Sequence, residues 1–212
     1  IIKMRILTTH IILCLTILGC SVQDKSIKQS DVYFSQALAY FEKEQYSKAK
    51  DYFENIVTQY SGTAISIDAL YYLAFCEYEL KDFKESRQSF KTYQRYSQDI
   101  LKVQSARFMI CLCMFELTLN HPKDQTETYA ALEELQLFIE EYPNSKYSSQ
   151  VVETIGLLRN KLALKKYEIA KLYIKSENFD SAKIYLNDLL DQYYDTDYAD
   201  DARIGYIIIL LM

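Results

Sequence analysis

The chain of 212 residues has no tryptophan, only four glycines, two prolines and two histidines. With so few breakers it is compatible with an almost entirely helical fold. The scarcity of histidine bears on chemistry. His121, beside Pro122, sits in a polar stretch and reads as a loop residue. No His/Cys cluster has metal-ligand spacing, no glycine-rich loop could cradle a phosphate, and no serine lies in a nucleophile-elbow context. No catalytic residue, metal or cofactor is therefore expected, and the chain does not read as an enzyme. Positive charge is also in deficit: 24 Lys and Arg stand against 29 Asp and Glu, a formal charge of −5. That argues against nucleic acid as a partner, because phosphate-backbone binding needs clustered Lys and Arg.

The first informative presence is at the start. Lys3 and Arg5 precede an apolar run from Ile6 to Leu18, then Gly19 and Cys20. The run is too short to span a bilayer as a helix and reads as a secretory signal. The ending Leu18-Gly19-Cys20 resembles a bacterial lipoprotein signal, which implies cleavage after residue 19 and acyl chains on Cys20. Several acyl chains on one residue give stable anchoring, since each buried CH2 contributes roughly 0.8 kcal/mol and one chain alone is marginal. Ser21 stands where an Asp would, by the same resemblance, hold a lipoprotein in the inner membrane; the outer membrane, facing the periplasm, is expected. Cys14 leaves with the signal. Of the remaining cysteines, Cys111 and Cys113 point to different helix faces, and Cys76 with either of them has no support as a bridge. All three are expected to be buried thiols acting as small hydrophobes.

Self-comparison reveals repeats. Ala37 and Ala49 are followed by Phe53 and Ile56; the pattern returns as Ala74, Ser86, Phe90, Tyr93, and again as Ala170, Ala182, Leu186, Leu189. Tyr46, Phe83 and Phe179 each precede the second small residue by three. Small residues at two sites twelve apart let antiparallel helices approach closely, and large apolar residues fill the space between successive pairs. This grid resembles the tetratricopeptide repeat, so the fold class expected is an all-α tetratricopeptide-repeat superhelix behind a lipoprotein signal peptide. The expected organisation is signal 1–19, lipidated cysteine and tether 20–30, and an array over 31–212. Its units are 31–62, 66–98, 103–143, 148–196 and a partial fifth at 197–212. In the third unit Ala106 and Ala131 are 25 apart, so about thirteen residues are inserted, most around Leu119 to Gln125. Asp124-Gln125-Thr126-Glu127 has the spacing of a capping box. Ser148 to Lys175 reads as one long helix or two continuous ones. The fifth unit stops at Met212 without its second helix, leaving an apolar face uncovered. The chain is therefore expected to continue beyond Met212, and Ile1 ahead of Met4 hints at an imprecise start.

In such arrays the first helix of each pair lines a concave groove. The first unit places Asp31, Phe34, Leu38, Phe41 and Glu42 there; the second places Asp68, Tyr71, Phe75, Tyr78 and Glu79. The fourth offers Leu164, Tyr167, Lys171, Ile174 and Lys175, a basic set. These residues either line a groove for extended peptides with apolar or aromatic side chains, or fill the inter-repeat core beneath a solvated charged rim. Glu133-Glu134 and Glu140-Glu141 read as solvated helix faces.

The stretch from Lys123 to Thr196 carries a more specific likeness. Asp124-Gln125-Thr126-Glu127-Thr128-Tyr129, Leu135-Gln136-Leu137-Phe138-Ile139, Tyr142-Pro143-Asn144-Ser145, Lys161-Leu162-Ala163, Tyr167 to Tyr173 and Asp195-Thr196 follow in order. Together with the lipidated cysteine, this resembles the BamD family, tetratricopeptide-repeat lipoproteins of the outer-membrane β-barrel assembly (BAM) machinery. The resemblance implies a periplasmic adaptor whose N-terminal repeats meet unfolded outer-membrane β-barrel proteins. Its C-terminal repeats would dock the POTRA region of the barrel subunit BamA, alongside other BAM subunits. Family members often carry an arginine near the position of Tyr185, where BamA docks. Here the run is Ala182-Lys183-Ile184-Tyr185, so that basic contact is either lost or supplied by Lys183. The alternative is another envelope tetratricopeptide lipoprotein that scaffolds a cell-wall or surface complex; an enzymatic reading would need a catalytic domain beyond Met212.

Overall fold

The computed structural model describes residues 29–118 and 124–211. The signal segment, Cys20 and His121 lie outside the described residues. All regular structure among the described residues is helical: α1 (29–41), α2 (Tyr46–Gln59), α3 (Ala64–Glu79), α4 (Phe83–Tyr96), α5 (Ile100–Glu116), α6 (Thr126–Glu141), α7 (Ser148–Lys175), α8 (Phe179–Gln192) and α9 (Ala199–Leu211). They form two compact modules that divide between Ser97 and Gln98, and within each module consecutive helices pack on one another. The fold is the all-α, tetratricopeptide-repeat type.

The small-residue grid is the packing rule of both modules. Ala37, Ala49, Ala74, Ser86, Ala106, Ala131, Ala170 and Ala182 are all fully buried. The bulky residues four and seven beyond the second small position, from Phe53 and Ile56 to Leu186 and Leu189, are sealed between helices. Ser86 fits this grid because its hydroxyl donates to the Ala74 carbonyl across the helix pair at 2.8 Å. That bond satisfies a polar group which would otherwise be costly to bury. A side chain larger than these at any such site would force the helices apart.

The hairpin turns repeat with equal regularity. Glu44, Lys81 and Glu177 occupy the left-handed region at φ of 57°, 67° and 58°. Around each, the helix ends in the same pair of bonds. Glu44 N–H donates to the Phe41 carbonyl and Gln45 N–H to the Tyr40 carbonyl, with matching bonds at Lys81/Asp82 and Glu177/Asn178. These are Schellman ends, in which glycine ordinarily takes the left-handed position. Lys50 on α2 reaches the next turn, its ammonium donating to the Asp82 carboxylate at 2.9 Å.

The third repeat departs from the sequence expectation in where its insertion goes. α5 runs to Glu116, ten residues past Ala106, whereas α3 and α7 stop five residues past Ala74 and Ala170. α6 also starts two residues early on the grid. About half of the insertion therefore lengthens helices instead of making loop. The expected capping box is only partly formed. The Asp124 carboxylate accepts from the Thr126 amide and hydroxyl, while buried Gln125 takes the Thr128 hydroxyl at 2.7 Å. α7 is unbroken over 28 residues and starts 22 before Ala170, twelve more than α3 has before Ala74. On α9, Ile204, Ile207, Ile208, Leu210 and Leu211 are each half or more exposed, and Ala199, Ala202 and Ile209 are buried. Cys76, Cys111 and Cys113 are buried thiols with no disulfide, as expected.

A left-handed lysine costs about 1–2 kcal/mol that glycine does not incur, offset in part by glycine's larger unfolded-state entropy. Lys81→Gly is therefore expected to raise the free energy of unfolding by about 0.5–1 kcal/mol, read by urea denaturation. A loss of stability would show that the Lys81 side chain has a role the turn geometry does not reveal.

Candidate partner-binding faces

In the N-terminal module the aromatic residues are not loose ornaments on a groove. Phe34 meets Phe53 edge-on at 5.7 Å and Tyr72 at 5.8 Å; Phe41 meets Tyr46 at 5.6 Å and Tyr72 at 5.4 Å. Tyr72 also stacks on Phe53 at 5.5 Å. Leu38 packs into the same cluster. One repeat further on, Tyr71 contacts Phe75, Phe90 and Tyr93, Phe75 stands perpendicular to Phe90 at 5.0 Å, and Tyr78 meets Phe83 at 5.4 Å. Phe34, Leu38, Phe41, Tyr71, Phe75 and Tyr78, the apolar and aromatic residues predicted for the groove, are each half-buried. One side of the ring belongs to the helix interface and the other to the surface, so packing and display are combined in the same side chains. Tyr72 was not singled out in the sequence, although its neighbour Tyr71 was. Successive residues of a helix differ by 100°, and the adjacent tyrosines serve different interfaces.

Charge around these rings is acidic. Asp31, Glu42 and Glu79 are exposed, and burial together with the Glu79 and Glu44 carboxylates pushes the Tyr46 hydroxyl above its usual range. Glu77 is different in kind. It is buried on α3 with Oε2 lacking a hydrogen-bond partner. Burial raises its pKa, with the Ser89 hydroxyl bond and Lys50 acting the other way. Its position matches that of Tyr40 and Tyr173 on the repeat grid, as Ser89 matches Tyr52 and Tyr185. Where Glu77 meets Ser89, the first and fourth repeats place a ring pair: Tyr40 with Tyr52 at 5.4 Å and Tyr173 with Tyr185 at 5.5 Å.

The C-terminal module shows which basic residues are available. Lys161 is half-buried and donates to the Thr118 hydroxyl at 2.6 Å, and burial lowers its pKa. Lys166 is paired with Asp188 and lies 5.8 Å from the Tyr193 ring. Arg107 is held by Glu134 and lies 3.6 Å from Glu141. Glu134 is thus not the solvated acid its sequence suggested: α5 supplies a cation on that side. Lys171 and Lys175, by contrast, face solvent. Lys171 has a loose 3.3 Å pair with Glu168 and sits 5.5 Å from the Tyr167 ring, which stacks on Tyr198 at 6.0 Å. On α8, Lys183 lies 3.8 Å from Asp180, and Tyr185 is occupied by its stack on Tyr173. The last two turns of α7 therefore carry accessible positive charge, while Tyr185 serves first as packing.

Two outcomes are expected from this geometry. Tyr72→Ala removes a ring shared by α1, α2 and α3, and should cost about 3–5 kcal/mol in a urea titration. A loss below 1 kcal/mol would mean that the cluster is loose enough to refill. The raised pKa of Glu77 means that the folded state holds its proton more tightly than the unfolded chain. That stabilisation is complete below the ordinary value of 4.5 and is lost as pH rises through the folded pKa. Glu77→Gln should thus be more stable than the parent at neutral pH, with the gap closing in acid. A gap that widened in acid would reverse the sign of the assignment.

Comparison with known proteins agrees with this architecture. The sequence profile of the YfiO family, described as outer membrane lipoprotein, matches residues 26–207. Outer membrane protein assembly factor BamD of Rickettsia prowazekii is 20% identical over 201 residues, covering 93% of this chain and 80% of its own. BamD of Caulobacter vibrioides is 21% identical over 146 residues, 69% of this chain and 48% of its own. BamD of Haemophilus influenzae is 21% identical over 192 residues, 85% of this chain and 73% of its own. With the profile running over residues 26–207, the chain belongs to the YfiO family of outer membrane lipoproteins.

Proposed function

We propose that the protein is a non-catalytic adaptor in the assembly of outer-membrane proteins, anchored by acyl chains on Cys20 and facing the periplasm. The observation that carries the reading is the family match over nearly the whole described chain, joined to relatives named as outer membrane protein assembly factors. The arrangement of side chains supports a division of labour. The half-buried side chains Phe34, Leu38, Phe41, Tyr71, Phe75 and Tyr78 offer an apolar, acid-rimmed face suited to extended segments of unfolded β-barrel substrates. Tyr167, Lys171 and Lys175, with Lys183 on the neighbouring helix, offer a basic face suited to an acidic surface on the BamA POTRA region. Lys183 is the candidate for the basic contact, as the cation nearest in sequence to Tyr185, a neutral phenol that is itself stacked on Tyr173.

The test is a mild-detergent pull-down of the lipidated protein from its own envelope. Recovery of a stoichiometric barrel protein with POTRA domains is expected. Recovery of cell-wall enzymes or surface-complex subunits instead would replace this reading with the general envelope scaffold. Reversing Lys171 and Lys175 to Glu should lower capture of the barrel protein by roughly tenfold or more. The melting temperature should move by no more than about 3 °C, because the Lys171–Glu168 pair is exposed. Undiminished capture would remove these lysines from the contact.

A further inference from the structure

The outward face of α4 differs from that of the second helix in the other repeats. At about 100° per residue, Lys84, Arg87, Lys91 and Arg95 fall within an arc of about 80°. The buried residues Ser86, Phe90 and Tyr93 lie on the opposite side of the helix. Lys84, Lys91 and Arg95 are exposed and Arg87 is half-buried. None of the four is ion-paired among the described residues, whereas Lys50, Arg107, Arg159 and Lys166 are held by Asp82, Glu134, Asp195 and Asp188. Tyr96, 60% exposed, follows Arg95 at the end of the helix.

The repeat grid supplies a comparison within the chain. Aligned on the second small residue, the same four positions hold Lys50 and Glu54 as their only charges on α2, and Glu140 alone on α6. On α8 they hold Asp180, Lys183 and Asp191. Those faces are neutral or slightly acidic, as a chain with more Asp and Glu than Lys and Arg would have them. Solvation therefore does not require the stripe on α4. Folding does not favour it either, because like charges three and four residues apart destabilise a helix. The net charge of the chain conceals a local surface of the opposite sign.

We propose that Lys84, Arg87, Lys91 and Arg95 seat α4 on the anionic phospholipid headgroups of the leaflet that holds the Cys20 acyl chains, orienting the N-terminal module on the bilayer. This rests on the acyl anchor of the adaptor reading above. Helix α1 begins at residue 29, so the nine residues after Cys20 let its first turn stand no more than about 30 Å from the anchor. Successive helices joined by short turns run antiparallel, which brings the start of α1, the end of α2, the start of α3 and the end of α4 to one end of the module. Arg95 and Tyr96 are thus at the tethered end. Clustered Lys and Arg on one helix face suit anionic headgroups, and tyrosine suits the headgroup level. Several acyl chains hold the protein without help, so what the stripe adds is direction. Phe90 and Tyr93 turn the inner side of α4 towards Phe75 and Tyr71 on α3. Seating the outer side on headgroups leaves those half-buried rings unobstructed.

The test uses the full lipidated chain in vesicles of phosphatidylcholine, with or without phosphatidylglycerol, each carrying an acceptor dye on a lipid headgroup. A donor dye is placed at Gln88→Cys, beside the stripe, or at Asp51→Cys, its grid equivalent on α2; both sites are exposed, while Cys76, Cys111 and Cys113 are buried. Energy transfer from residue 88 should rise by roughly twofold or more when phosphatidylglycerol is present, and fall back at about 0.5 M salt. Transfer from residue 51 should not gain. Lys84→Glu with Lys91→Glu should abolish the rise while leaving the far-UV circular dichroism unchanged, since both side chains lie off the core. In a second arm, the full chain carrying Cys20→Ser, which cannot be acylated there, should sediment with phosphatidylglycerol vesicles, and the double reversal should weaken that binding by roughly tenfold or more. Equal transfer from residue 88 in both kinds of vesicle would overturn the proposal. So would a double reversal that leaves lipid behaviour unchanged but loses an envelope protein in pull-down, which would assign the stripe to an acidic protein. The anchor is read separately, by the mass of the lipidated form: absence of acyl chains on Cys20 would sink the anchored reading and this inference with it.

Discussion

The structure depends first on a close approach of two helices at a pair of small residues. Where Ala37 faces Ala49, or Ala170 faces Ala182, no side chain separates the backbones, and helix axes can come to the near end of the usual 8–10 Å range. That approach forces everything else. The volume excluded from the crossing point must be filled on either side of it, which puts Phe53, Phe90, Leu135 and Leu186 one turn further on, all fully sealed. It also dictates the turn. Helices this close must be joined by few residues, and the chain accepts left-handed Glu44, Lys81 and Glu177 to do so. Strain at the turn and density at the crossing are two expressions of one constraint.

The same constraint decides which aromatics can serve two purposes. Rings at the crossing are consumed. Rings three residues before it, such as Phe34 and Tyr71, are half covered by the neighbouring helix and half presented. Their display is therefore rigid, since each is wedged between partners at ring distances of about 5–6 Å. Electrostatics is secondary to this packing but selects what is left on the surface. The structure turns Arg107, Arg159, Lys161 and Lys166 inward, to partners on neighbouring helices or turns, leaving Lys171 and Lys175 as the outward cations at the end of α7.

Much of this was legible beforehand, for a physical reason. Small residues at close crossings are a strict requirement, so Ala37, Ala49, Ala74, Ser86, Ala170 and Ala182 announced the helical hairpins by spacing alone. Helix over 148–175 followed from the lack of any breaker but Gly156, though whether as one helix or two continuous ones did not. Less legible were features that join residues far apart in the chain. Nothing near Arg159 signals that its partner is Asp195, and nothing near Glu134 signals Arg107. The left-handed turns were hidden because the residues there are Glu and Lys, not glycine. The division of the third repeat's insertion between helix and connection was also out of reach, because Phe115 and Leu117 extend a helix as readily as they end one. The candidate faces were legible as composition but not as packing geometry: which ring wedges against which helix depends on contacts across the repeats.

One feature of the C-terminal module has a bearing on how it comes apart. Repeat arrays ordinarily melt a unit at a time, because each hairpin touches only its neighbours and the chain between them can fray independently. α7, about 42 Å long by its residue count, removes that option here. It packs on α6 as well as on α8, and no break interrupts it. Loss of either end propagates along a single hydrogen-bonded rod. The module should behave as one cooperative domain within an otherwise modular design, lost or retained entire.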